Sequence, residues 1–165
     1  MITPTDKTFL LRCISLAREA LEAGDDPFGS ILVDATGTIL QEHRNRIHTE
    51  SNVSLHPEFT LAIWAEKNLS AADRATATVY TSGEHCPMCA AAHAYAGLGR
   101  IVYASSSEQL KGWMGELGVE EGPVAGLGIR DVALGVSVDG PVAELGEVVF
   151  ELHRLRQEKV RGGKE

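Results

Sequence analysis

The chain has 165 residues, 44% of them hydrophobic and 23% charged, and its 15 Lys and Arg against 23 Asp and Glu leave a net charge of −8. A chain of this length buries roughly 68–70% of its unfolded surface and needs no disulfide staples, and no apolar run approaches the roughly 18 residues of a membrane span. The acid excess repels a phosphate backbone, so a nucleic-acid partner is disfavoured; the basic cluster is confined to the tail from Lys159 to Lys164.

The segment Met1 to Lys7 has no basic stretch leading into an apolar one, so a cytoplasmic, thiol-preserving location is expected for a single domain spanning residues 1–165. Thr3-Pro4 followed by Phe9, Leu10, Cys13, Ile14, Ala17 and Leu21 at three- and four-residue steps predicts a helix capped by Thr3 and stopped at Gly24. Cys13 falls in that apolar pattern and reads as a small buried hydrophobe. Phe28 to Val33 and Gly37 to Gln41, joined through Asp34-Ala35-Thr36-Gly37, predict a hairpin, and a polar connection runs from His43 to Leu55.

Pro57 suits the first turn of a helix through Leu61, Ala62, Ala65 and Leu69, because its missing N–H would have no partner there. A strand from Thr78 to Thr81, an alanine-rich helix from Pro87 to Ala96 and a strand from Arg100 to Ala104 give a βαβ alternation. Beyond Ser107 the pattern weakens. It predicts a short helix to Leu117, a glycine-rich stretch to Gly128, a strand from Arg130 to Leu134 and a helix from about Pro141 to Val160.

The chemistry concentrates in His56-Pro57-Glu58 and Cys86-Pro87-Met88-Cys89. One imidazole and two thiolates are three ligands for Zn²⁺, leaving one tetrahedral position open, as in catalytic zinc sites. Both His56 and Cys86 fall at the start of a predicted helix, where the positive dipole end and free N–H groups lower a thiol pKa. Glu58, one turn into its helix, reaches the open position without being a ligand and can move protons. Two other readings stay open for the cysteines: a structural zinc site completed by His85 or His93, and a redox pair.

His-x-Glu followed by Pro-Cys-x-x-Cys is the signature that these residues resemble, that of the zinc-dependent cytidine and purine deaminase superfamily. The resemblance covers about Asp26 to Ala104 and extends to Asp26-Pro27-Phe28-Gly29, to Asn45 and to Gly99-Arg100-Ile101-Val102-Tyr103, which are similar to the guanine deaminase and tRNA adenosine deaminase branches. It implies an α/β fold, a three-layer α-β-α sandwich around a mixed five-stranded sheet, in a homodimer or higher oligomer. It also implies a hydrolytic deaminase of a small heterocyclic amine such as guanine, cytosine, an amino-triazine or a nucleoside. His56, Cys86 and Cys89 would hold Zn²⁺, zinc-bound hydroxide would attack the amino-bearing carbon, and Glu58 would shuttle protons. Asn45 and Phe28 would contact the substrate.

Ser105 to Leu117 is where the branches differ, and there Trp113 is a candidate for stacking on the base and Glu116 for a substrate-reading carboxylate. Two residues depart from the family pattern: His85 stands where Pro is usual before the first cysteine, and Pro57 where Ala is usual between His and Glu. A tRNA adenosine deaminase and a non-catalytic zinc-stabilised domain are the other functional readings.

Overall fold

Thr3 starts α1, Pro4–Ala23, by a reciprocal cap: its Oγ1 accepts from the Asp6 N–H at 3.1 Å and its N–H donates to Asp6 Oδ2 at 2.7 Å. Gly24 ends the helix in the left-handed conformation at φ 97°, where a side chain would be strained. The computed structural model describes residues 1–163; Lys164, in the basic tail, lies outside the described residues.

The hairpin forms between β1, Gly29–Val33, and β2, Ile39–Arg44, in antiparallel register. Asp34 Oδ1 gathers the N–H groups of Thr36 and Thr38 at 2.8 and 2.9 Å and closes the turn. This displaces the expected second strand. Gly37 has φ 89° and belongs to the turn, while pairing continues past Gln41 until Arg44 faces Gly29, so His43 is in the strand and not in the connection.

α2, Pro57–Asn68, and a short α3, Ala71–Thr76, lead to β3, Thr78–Gly83. α3 is an addition to the expected elements, and its signal was Ser70 three residues before Asp73, whose N–H donates to the Ser70 hydroxyl at 3.2 Å. α4, Pro87–Tyr95, crosses over to β4, Arg100–Ser105, which lies parallel to β3. α5, Ser107–Glu116, follows.

Residues 130–134, expected as a strand, are instead the end of a helical turn, α6, Ile129–Val132, and its exit. Ala133 N–H donates to Ile129 O at 2.7 Å, the four-residue bond of a helical turn, which a strand cannot form. The fifth strand, β5, Val138–Asp139, comes later and pairs parallel with β4, completing a mixed sheet in the order β2-β1-β3-β4-β5. The last helix, α7, Gly146–Gly162, starts five residues after Pro141, because Val142 N–H donates to Ala104 O at 3.0 Å and keeps that stretch along the sheet.

Alternation along the strands divides the core into two faces. Ile31, Val33, Val102 and Ala104 pack with Leu10, Cys13, Ala17 and Leu21 of α1 and Val149 and Leu152 of α7. Leu32 and Val79 pack with Leu61, Ala62 and Ala65 of α2, and Ile101 and Tyr103 with Ala90 and Ile129. Helices therefore cover both faces of the sheet. At Gly29 the helix and sheet come so close that a Cβ would lie 2.4 Å from Cys13 O. Among the described residues no helix is long and apolar enough to cross a membrane.

Asp6 does more than cap α1. Its side chain is buried and accepts from Tyr80 Oη at 2.7 Å and Arg100 Nη1 at 2.9 Å, tying the helix to β3 and β4. Burial alone would raise its pKa, but these donors and Thr3 hold it down at about 2, against an ordinary 3.8. The unfolded chain takes up this proton first, so the contribution is complete above about pH 4 and fades as the pH falls toward 2. Asp6→Asn is expected to lose about 2 kcal/mol at pH 7 and to flatten that acid decline, measured by urea unfolding across pH.

Candidate active site

Two helices begin in the same way. His56 is the N-cap of α2 and Cys86 the N-cap of α4, each followed by Pro at the first helical position and neither using its side chain to cap. Proline sets φ and removes an N–H that would lack a partner, which leaves the capping side chains to point elsewhere. α2 and α4 pack against each other, so the two mouths meet.

Cys86 Sγ lies 3.7 Å from His56 Nδ1 and 3.5 Å from Cys89 Sγ, and the ligand atoms of all three residues fall within 4.8 Å of one another. Zn–S bonds of about 2.3 Å and Zn–N bonds of about 2.0–2.1 Å at tetrahedral angles would set neighbouring donors roughly 3.4–3.8 Å apart. The residues present fit that ion.

Charge supports the same reading. The neighbouring Cys89 thiol and the His56 imidazole lower the Cys86 pKa to about 4, against the burial that opposes it. The Cys86 anion, burial and Glu58 push Cys89 upward. The pair by itself thus keeps one proton, and a dication between the sulfurs would ionise both. Cys86 also raises the His56 pKa.

Glu58 is buried one turn into α2. Its Oε1 accepts from Thr81 Oγ1 at 2.8 Å and Ser30 Oγ at 3.1 Å, and its Oε2 lies 3.7 Å from Cys89 Sγ. One oxygen is held by the sheet and the other faces the ligands. Burial raises the carboxyl pKa despite the hydrogen bond from Thr81.

His85 and His93 are not part of this group. Both are buried, their rings meeting edge to face at 5.5 Å, and His93 Nε2 lies 2.9 Å from Gly99 O. The departure from Pro at position 85 thus places an imidazole in packing beside α4; Pro57 is buried at the start of α2.

A cavity of about 600 Å³ opens over His56, Glu58 and Cys86, within the range of roughly 300–1,000 Å³ typical of small-molecule sites. Phe28 lines it, its ring held over Gly83, where a Cβ would sit 2.9 Å from the ring edge. Asn45 is buried but outside the lining, in an Asx turn where its Oδ1 accepts from Ile47 N–H at 3.0 Å. Trp113 packs instead on Phe150, ring centroids 5.5 Å apart, and Glu116 is exposed at the end of α5; neither lines the cavity.

Leu110 and Met114 are the apolar α5 side chains that do line it, with Lys111 of the same helix and Glu84 just after β3. Their spacing of four residues on one helix face was the available signal, and Trp113 lies about 100° around the helix from Met114. Nothing in the sequence marks Glu84 apart from its nearness to Cys86.

The five-stranded mixed sheet with helices on both faces is the fold of the cytidine deaminase-like proteins. The chain belongs to the MafB19-like deaminase family, whose match runs over residues 5–130. It is 37% identical over 100 residues to guanine deaminase of Bacillus subtilis, covering 60% of this chain and 64% of that one. It is 31% identical over 100 residues to the tRNA-specific adenosine deaminase of the same organism, covering 61% and 62%. Both matches thus span less than two thirds of the relatives' length. A solved guanine deaminase from Nitrosomonas europaea superposes with a TM-score of 0.69 at 19% identity, over 93% of this chain and 86% of that one, a likeness of fold.

A buried acid with a raised pKa contributes stability below its ordinary range that is lost as pH rises through the folded value. Metal-stripped Glu58→Gln is therefore expected to melt higher than metal-stripped wild type at pH 8, with the difference shrinking toward pH 4 in thermal unfolding.

Proposed function

We propose that the chain is a zinc-dependent hydrolytic deaminase of a small amino-bearing nitrogen heterocycle. The observation that carries this reading is the position of Glu58: a buried carboxyl with one oxygen anchored by Ser30 and Thr81 and the other 3.7 Å from Cys89 Sγ, facing a three-donor cluster. A structural zinc site closed by a fourth protein ligand would have no use for such an acid.

His56, Cys86 and Cys89 would hold the ion, which when bound supplies an acidified water at its open position. Glu58 would take a proton from that water as its oxygen bonds to the amino-bearing carbon and deliver it to the ring nitrogen; it would then take the proton of the newly attached hydroxyl and pass it to the amine, so that the C–N bond breaks, ammonia departs and a carbonyl remains. Burial raises its pKa, in the direction that suits a carboxyl both taking and giving a proton. Phe28 on one side and Leu110 and Met114 on the other offer apolar surfaces to a flat ring. Asn45, buried outside the lining, would act through Phe28, whose carbonyl accepts from its backbone N–H at 2.9 Å.

Free bases and nucleosides are the favoured substrates, guanine first, in line with the guanine deaminase relatives. The second reading, tRNA adenosine, has the B. subtilis tRNA-specific relative in its favour. Charge weighs against it, because Lys111, the lysine at the cavity, pairs with Glu121 at 2.8 Å and the chain carries −8 overall.

The test is ammonia release from cytosine, cytidine, guanine, adenine, adenosine and ammeline, with an adenosine-bearing tRNA as a separate arm. Activity on tRNA alone, or on nothing in a zinc-loaded preparation, sinks the proposal. For a panel substrate, Glu58→Ala is expected to retain zinc and lose about 10²–10⁴-fold in kcat. Cys89→Ser is expected to lose the metal as well as the activity, measured by metal analysis of the purified protein.

A further inference from the structure

Glu84 sits two residues before Cys86, where β3 ends, and its carboxylate has two different partners. Oε2 accepts from Ser107 N–H at 2.8 Å and Oε1 accepts from Ile129 N–H at 2.9 Å. These are the first N–H groups of α5 and α6, donors that a helix cannot satisfy internally. The Glu84 backbone is itself fixed, since its N–H donates to Ser105 O at 2.8 Å.

The two amides bracket the segment that walls the cavity opposite the ligands. Between them the chain leaves the sheet, runs through α5 and then through an irregular stretch interrupted by Gly118, Gly122 and Gly126. Such a stretch has little backbone restraint of its own. Among the described residues its other side-chain hydrogen bonds to the rest of the chain or within the stretch are the exposed Lys111–Glu121 pair, Arg161 donating to Leu117 O, and Gly128 N–H donating to Asp131 Oδ2 at 3.2 Å. Trp113 anchors α5 from its far side, against Phe150.

We propose that Glu84 is a positioning residue, which holds both ends of segment 107–128 against the turn carrying Cys86 and so sets where the cavity wall stands relative to the ligands. Although Glu84 lines the cavity, both of its oxygens are committed to backbone amides, unlike Glu58, whose Oε2 faces Cys89. It therefore shapes the site without exchanging protons in it. The proposal goes beyond the deaminase reading and rests on it only in treating the wall as substrate-facing.

Amide hydrogen exchange on zinc-loaded Glu84→Ala and Glu84→Gln proteins tests it. The alanine variant is expected to exchange about tenfold faster or more at Ser107, Ile129 and residues 117–128, with β1, β3 and β4 protection and zinc content unchanged. Glutamine keeps one acceptor oxygen, so it should release one end of the segment and hold the other. Exchange like wild type at both ends in the alanine variant overturns the proposal, as does faster exchange spread evenly over the sheet. Should the alanine variant not fold, the glutamine pattern decides: release of one end supports the staple, and retention of both refutes it. With any panel compound that releases ammonia, Glu84→Gln is expected to raise KM about tenfold and leave kcat within about twofold. If no compound is turned over, the deaminase reading fails while the exchange result still decides the role of Glu84.

Discussion

The packing of α2 against α4 governs the rest of the structure. Each helix begins with a capping residue whose side chain does not cap, followed by proline, and the two beginnings are brought within a few ångströms because both helices lie on the same face of the sheet. Leu61, Ala62 and Ala65 set the depth of α2 on the sheet, and the small side chains of α4 let it come close beside it. From that one contact follow the proximity of His56 to Cys86, the lowered thiol pKa and the placing of Glu58 behind them. A shift of one helix by a single turn, about 5.4 Å, would separate the donors beyond reach of one ion.

Glu58 shows what such a site costs the fold. Burial raises its pKa, and the sheet answers with only two hydroxyls, from Ser30 and Thr81, on one oxygen. Burial outweighs the charge of the neighbouring His56 imidazole, so a carboxyl so placed destabilises the protein when ionised. Elsewhere buried acids are fully matched: Asp6 meets Tyr80 and Arg100, and Asp25 meets Arg44 and Thr49. Their pKa values are held down where that of Glu58 rises. The contrast separates acids that hold elements together from the one we propose to move a proton.

Glu84 joins these two halves of the molecule. It follows the strand that leads to the turn carrying Cys86 and accepts from the first amides of two later helices, so the His56, Cys86 and Cys89 cluster and the cavity wall share one carboxylate as their common reference. The apolar wall and the buried ligand side then enclose a cavity large enough for more than a bare ring.

Periodicity and local chemistry sufficed for α1, the hairpin, α2, β3, α4 and β4, since each carries its own cap, turn or alternation. His56, Glu58, Cys86 and Cys89 were legible for the same reason: their chemistry depends on residue type and short spacing. Past Ser107 those local signals weaken. Arg130 to Leu134 reads as a strand, yet Ala133 N–H donates to Ile129 O and Glu84 accepts from Ile129 N–H, so a helical turn starts at Ile129 instead. Trp113 looked like a stacking residue by type, yet the rotation of α5 turns it toward Phe150 and gives the cavity to Met114. The sequence by itself determined the donors and the acid, because they are set by neighbours along the chain. Which side chains wall the cavity, and which carboxylate holds that wall in place, only the tertiary structure decided, because both depend on how distant segments are rotated and joined.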